Sequence, residues 1–489
     1  MNDLPAGGEE GSGMTRVSEV KPASIPTFAV VGRPNKGKSS IVATLARDDA
    51  VYIDAKAGST RESHRYPMKV DGETLYELVD TPGLQRARSV LDWLNAHCND
   101  AAARPDAVRA FVEQHEGDPR YRDECQALRP IVDGAGIIYV VDGSCPYGPD
   151  YEAEMEILRW SGQPSLALIN PIEGEDYVEE WTAGLGQFFR TVRTFNAHRA
   201  EVTKQLELLE LFGHLQPDWR EPLERAVSIL RQDRELQTRE ASSYICDLIV
   251  DAINYKVEQA VPDGLPLEPV QKILFERYKA NLVKRERQCR QRVEELYYYS
   301  HLTRSEESLA LEETDLFTIE KWYLWGLGPN ALMAAAASAG AVVGGTTGMA
   351  LDVASGGLLG GLGTLVAGAG GAVSGLWGAR KYADKIGQIK VKGIPTGGNM
   401  VSYGPSRSIN FPFVLLGRAL LHQRLVSTRT HADRNALDLT QPLLERLTDK
   451  ERKRLARIFD DIRNGRKLDE RRAELGSMIL RWCTDAVVA

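Results

Sequence analysis

The sequence predicts an α/β domain, built on a mostly parallel sheet with one antiparallel edge strand, followed by a mainly α-helical region with a Gly/Ala-rich helical hairpin. Three observations predict it. An apolar run at residues 28–31 leads into Gly32-Arg33-Pro34-Asn35-Lys36-Gly37-Lys38-Ser39, and a helix-compatible run at 41–46 follows, giving the order strand, glycine-bounded loop, helix. Residues 64–70 and 74–79 flank Asp71-Gly72, a hairpin signal that puts one antiparallel pair on the sheet. Beyond residue 201, Leu, Glu, Arg, Gln and Lys recur at helical spacing. At 489 residues the chain exceeds one typical core, so two or three domains are expected.

The glycine-bounded loop has the chemistry of a phosphate cradle. Gly32 and Gly37 let the backbone curl so that successive N–H groups face phosphate oxygens. The helix that begins near Lys38 adds its positive end. Lys38 places a charge on the β- and γ-phosphates, and the Ser39 hydroxyl suits Mg2+. Asn35, Lys36, Gly37, Lys38, Ser39 and Ser40 are therefore the expected nucleotide-binding run. Asp80-Thr81-Pro82-Gly83 closes the next strand: Asp80 can hold Mg2+ through water, and Gly83 can offer a backbone N–H to the γ-phosphate. Between them, Ala57-Gly58-Ser59-Thr60-Arg61 supplies Thr60, placed to close over the metal when the γ-phosphate is present and to let go when it leaves.

Together, the Gly-Arg-Pro-Asn-x-Gly-Lys-Ser run, Ser59-Thr60-Arg61 and Asp80-Thr81-Pro82-Gly83-Leu84 look like the Era-like (TrmE–Era–EngA–septin-type) branch of translation-factor-class GTPases, over roughly residues 25–200. The resemblance implies GTP and GDP as ligands and slow intrinsic hydrolysis stimulated by a partner. It implies Lys38, Thr60 and Gly83 as catalytic residues, and Ser39, Thr60 and Asp80 around Mg2+. It also implies that the attacking water is positioned otherwise than by a glutamine, since Leu84 stands at that place and Gln85 reads as a surface residue. Asn35 is associated in some relatives with a bound K+.

Two departures from that pattern stand out. After the strand at 165–169, the base-reading motif is Asn170-Pro171-Ile172-Glu173. Glu173 keeps a carboxylate for the guanine edge on a longer arm, whereas Pro171 has no lysine stem to cover the base. Ala197, in Phe195-Asn196-Ala197-His198, is the expected backbone donor to the base oxygen. The second departure is a helical insertion at about 85–135, rich in charges around Trp93, Leu94, Val108, Phe111 and Leu128. It is suited to reporting loss of the γ-phosphate, and equally compatible with an inert elaboration. Arg86 and Arg88 within it read as arginine fingers or as solvated helix charges.

The remainder of the chain divides as follows. Residues 1–24 read as a disordered tail without an apolar stretch. The nucleotide domain takes 25–213, a helical region 214–325, the glycine-rich hairpin 326–380, and a mixed, mainly helical region 381–489. The charge run at 285–292 reads as a solvated helix face, and 414–426 as an amphipathic helix. From Trp322 to Ala379 the only charged residue is Asp352, and glycines at 340, 344 and 348 repeat every four positions. Such a segment suits membrane contact, a hairpin buried in the protein, or a flexible loop. The six cysteines show no metal-ligand spacing and suit a reducing cytoplasm. A net charge of −8 gives a nucleic-acid partner no support.

The function expected from these readings is a GTP-binding and GTP-hydrolysing switch at or near the inner (cytoplasmic) membrane, with membrane lipid or a membrane protein and an unidentified effector as partners. The alternatives are a dynamin-like membrane-remodelling GTPase and a low-turnover nucleotide-binding scaffold. The arrangement resembles bacterial GTPases fused to an uncharacterised C-terminal domain.

Overall fold

Residues 28–31 and 136–142 are apolar on both faces, the pattern of strands covered on two sides. The structure, a computed structural model, describes residues 25–48, 51, 62–299, 302, 387–393, 399–433, 435, 437 and 447–488. Thr60, the 1–24 tail and the 326–380 segment lie outside the described residues.

The chain opens with β1 (Thr27–Val31), α1 (Lys38–Ala46) and the hairpin β2 (His64–Val70)–β3 (Glu73–Asp80), turned by Asp71 and Gly72, both at positive φ. Three helices follow, α2 (Ala87–His97), α3 (Arg104–His115) and α4 (Arg122–Val132), in the place expected for the insertion. Then come β4 (Gly136–Asp142), α5 (Glu152–Trp160), β5 (Ser165–Asn170), α6 (Val178–Leu185) and β6 (Val192–Thr194). The strands form a six-stranded sheet in the order β2-β3-β1-β4-β5-β6, parallel except for the β2–β3 pair.

Strand alternation divides the core in two. Phe28, Val30, Ile138, Val140 and Leu168 face one side with α1. Ala29, Val31, Ile137, Tyr139 and Val141 face the other, under α2 to α6. The first side is closed by α7 (Val202–Leu215) and by α8 (Pro217–Asn254), which sends Trp219, Leu223, Val227 and Leu230 into it.

Helix α8 does not stop there. Its second half, from Ile245 to Ile253, enters a different core, built with β7 (Val257–Val261), α9 (Leu267–Leu296), β9 (Asn399–Ser406), α10 (Phe411–Thr428), α11 (Asp449–Arg463) and α12 (Leu468–Val488), while β8 (Gly387–Gly393) pairs at the edge of the sheet. The three strands pair antiparallel in the order β7-β9-β8. The expected division at residue 213 falls within α7, and α8, the helix after it, serves both cores.

Two expectations for this half are corrected. Helix α10 is buried on nearly every side, because α8, α9 and α12 all pack against it, so it is not amphipathic. The charge run on α9 is not wholly solvated: Glu286 and Arg290 are buried, and Glu286 accepts a 2.7 Å hydrogen bond from Arg418 of α10. Among the described residues, no helix is long and apolar enough to cross a membrane.

Candidate nucleotide-binding site

The site is assembled where β1, β3 and β5 end on the same edge of the sheet. Gly32, at φ +140°, leaves β1, and a Cβ there would lie 2.4 Å from the Val140 carbonyl oxygen. Gly37, at φ +81°, is the N-cap of α1, and a Cβ on it would lie 2.2 Å from Asn170 Nδ2. Asn35, exposed between them, is also left-handed at φ 61°. Both glycines are thus required by conformation and by space, and the loop ends on the N-terminus of α1, where anions are favoured.

Lys38 is buried, and its ammonium donates to the Arg33 carbonyl oxygen at 3.0 Å. Burial lowers its pKa, and the Asp80 and Glu154 carboxylates act against that shift. Ser39 Oγ donates to Asp80 Oδ2 at 2.6 Å, joining the start of α1 to the end of β3. Ser40 is buried on α1. Next along the chain, Thr81 Oγ1 donates to the Val30 carbonyl at 2.7 Å, and Gly83 packs against Pro34 so closely that a Cβ would lie 2.4 Å from Pro34 Cδ. The Asp80–Gly83 loop therefore rests directly on the phosphate loop. Leu84 turns into the core beneath α2, while Gln85 points outward and donates to Asp123 at 2.8 Å.

Asn170 laces three segments together. Its Nδ2 donates to the Lys36 carbonyl at 3.3 Å, and its Oδ1 accepts from the Ala197 N–H at 3.2 Å. The Ala197 carbonyl accepts from Thr44 Oγ1 at 2.8 Å. The Ala197 N–H expected to meet a base oxygen is thus already engaged by Asn170. Lys36 contributes its backbone, since its ammonium lies 3.4 Å from Asp142 Oδ2. Glu173 is exposed on the loop after β5, next to Ile172, whose Cδ1 would lie 3.7 Å from a Cβ at Gly37.

Sequence reasoning missed Glu154, wholly buried on α5. It accepts from Arg33 Nε and, at 3.1 Å, from Tyr139 OH. Nothing in the local sequence separates it from the exposed acids around it. A cavity of about 510 Å3 opens between Arg33, Pro34, Leu84, Arg86 and Glu154. Arg86 lines it, and Arg88 at its rim pairs with Asp150.

A hydroxyl and one carboxylate, close together below a phosphate cradle, fit a hard cation whose remaining ligands are phosphate oxygens and water. Among the described residues no cluster of three His, Cys, Asp or Glu side chains could hold a metal by itself, so Ser39 and Asp80 fit Mg2+ only as part of a nucleotide complex.

Residues 183–476 match the family described as "Domain of unknown function (DUF3482)", and residues 27–170 match the family described as "50S ribosome-binding GTPase". Similar curated proteins include GTPase Der of Rhodopirellula baltica, 38% identical over 101 residues, which are 20% of this chain and 22% of that protein. GTPase Der of Prochlorococcus marinus is 27% identical over 207 residues, 41% of this chain and 39% of that protein. The chain thus spans well under half the length of these relatives. Two solved structures are of Era. One is bound to MgGDPNP and nucleotides 1506–1542 of 16S ribosomal RNA, with 18% identity, a TM-score of 0.25, and coverage of 35% of this chain and 51% of that one. The other is an Aquifex aeolicus Era variant bound to GDP and AlF4−, with 15% identity, a TM-score of 0.26, and coverage of 55% and 88%.

Proposed function

The chain belongs to the family described as "Domain of unknown function (DUF3482)" and carries a P-loop GTPase domain, and on that premise we propose that it is a GTP-binding, GTP-hydrolysing switch that acts through its helical region. The observation that carries the proposal is the lacing of the phosphate loop, the loop after β5 and the Ala197 loop by Asn170, beside the Ser39–Asp80 pair. In this reading Lys38 and the loop amides bind the β- and γ-phosphates, and Gly83 responds to the γ-phosphate. Ser39 and Asp80, with Thr60 from outside the described residues, hold Mg2+, which when bound neutralises charge on the phosphates. Asn35 is the residue proposed to support K+. Glu173 reads the guanine edge.

Nucleotide affinity and phosphate release of the full chain test this. Lys38→Ala and Asn170→Ala should each lower GTP and GDP affinity at least about tenfold, the loss expected from removing a charge-assisted or fully buried hydrogen bond. GTP should outcompete ATP, and Glu173→Gln should narrow that preference. Equal affinity for GTP and ATP in the parent protein would remove the guanine assignment and leave a general nucleotide site.

Action at the inner (cytoplasmic) membrane is the second reading. It is supported by the uncharged, glycine-patterned run either side of Asp352, outside the described residues. The full chain should float with liposomes and a deletion of 322–379 should not. Nucleotide-dependent tubulation would favour the dynamin-like form of this reading. Absence of phosphate release in all salts and lipids would favour a low-turnover scaffold, in keeping with the burial of Leu84. The net charge of −8 gives RNA no electrostatic support as a partner.

A further inference from the structure

Resting on the GTPase reading above, we propose that Glu124 and Gln126, on α4 of the insertion, are positioning residues for hydrolysis: they hold the Gly83 loop and the chain leaving the Thr60 segment in one arrangement around the phosphate site. Helix α2, which follows the Gly83 loop, starts without a cap of its own, since Arg86 at its N-cap makes no side-chain capping bond. The N–H groups of its N-cap and of the residue before it are met from α4 instead. Glu124 Oε1 accepts from the Gln85 N–H at 3.0 Å and from the Arg86 N–H at 2.6 Å. A carboxylate at that end of a helix also meets the positive end of its dipole. Glu124 is only 1% exposed, and a carboxylate is retained at that burial when its acceptors are used. Its neighbour Asp123 accepts from Gln85 Nε2.

Two residues on, another face of the same helix meets the chain that follows Thr60 in the sequence. Gln126 Oε1 accepts from the Ser63 N–H at 2.8 Å, and the Gln126 carbonyl accepts from Ser63 Oγ at 2.9 Å. Arg122 pairs with Glu62 at 2.8 Å. Ser63 lies three residues after Thr60 in the chain. Helix α4 is itself fixed to the sheet: Cys125, Leu128 and Ile131 share a core with Ala29 and Val31 of β1, the strand that feeds the phosphate loop. One helix, packed on the strand that feeds the phosphate loop, therefore holds both the chain just after Gly83 and the chain at Glu62 and Ser63. Glu124 holds Gln85, two residues after Gly83 in the chain, and acts through that loop. Ordering these segments before the ligand arrives lowers the entropy cost of reaching the reactive arrangement.

The test uses the full chain with Mg2+, fluorescent GDP and a non-hydrolysable GTP analogue, and single-turnover phosphate release from GTP. Glu124→Ala should lower the release rate and the triphosphate-over-diphosphate affinity ratio about tenfold each, with GDP affinity held within about twofold. Glu124→Gln, which keeps an acceptor oxygen, should recover most of both. A purely structural role would move stability but not the affinity ratio. Parent-like rate and ratio in Glu124→Ala overturn the proposal. If circular dichroism shows that Glu124→Ala does not fold, Gln126→Ala carries the test, with a change of about threefold in the same direction expected and parent-like values overturning it. A parent protein that binds no guanine nucleotide overturns the GTPase reading and this proposal with it, an outcome distinct from a normal parent beside a silent variant.

Discussion

At Arg33 and Glu154 the two members of an ion pair live in different environments. Arg33 is 31% exposed and lies 3.9 Å over the Tyr151 ring, whereas the Glu154 side chain is 0% exposed. Burial pushes the Glu154 carboxyl up to about 7, against the pull of Arg33, Tyr139 and Lys38. Because its folded pKa lies above the usual carboxylate value, this group favours the folded state fully below about pH 4.5, and the contribution is lost as pH rises to about 7. The slope is negative in that window and flat above it. Glu154→Gln should remove this fall, so the difference in stability between parent and variant should change by about 1–3 kcal/mol between pH 4.5 and pH 7.5. Urea midpoints of the nucleotide domain at the two pH values, followed by tryptophan fluorescence, measure it. Parallel pH profiles would mean that Arg33 keeps Glu154 ionised throughout.

At the level of elements, what could be read from the sequence was what local periodicity and turn chemistry encode. The β2–β3 hairpin and the strand–loop–helix run of the phosphate loop follow from Asp71-Gly72, the glycine spacing and apolar runs. The surroundings of Glu124 and Glu286 did not follow, because a glutamate on a charged helix has the same local signature whether it meets water or a neighbouring element. Glu286 is buried only because α10 brings Arg418 across to it, 132 residues later in the chain. Helix α10 reads as amphipathic for the related reason that its His422 and Arg418 look like a polar face, yet His422 lies 2.8 Å from Glu294 in the interior. Likewise Asn170 stands out in the sequence as the first residue of the expected base-reading motif, while its bond to the Lys36 carbonyl depends on where β5 ends relative to β1.

The whole molecule is organised by α8, 38 residues long and so roughly 57 Å at 1.5 Å per residue, with one end in the nucleotide-domain core and the other in the helical core. Midway, Asp233 ties the two regions: it lies 3.3 Å from Arg47, just past the end of α1, and accepts from Tyr298 OH, just past α9, at 3.1 Å. Burial raises the Asp233 pKa, and Arg47 and Tyr298 oppose the rise. A second tie lies beside the Ala197 loop, where Ala432, after α10, is buried in the nucleotide-domain core. A helix shared in this way should make the two cores unfold together. Ligand at about 100 times its Kd adds about 2.7 kcal/mol to whatever unfolds with the site. In the parent chain, GDP should therefore delay hydrogen exchange in residues 245–253 as well as in the phosphate loop. Arg239→Pro, at an exposed position in mid-α8, removes one helical hydrogen bond and breaks the rod at a cost of about 3 kcal/mol. In that variant GDP should still protect residues 38–46 but no longer residues 245–253. Protection of both segments in the variant would mean that the Asp233 and Ala432 ties carry the coupling without the helix, and protection of neither segment beyond the site in the parent would mean that the two cores are independent despite sharing it.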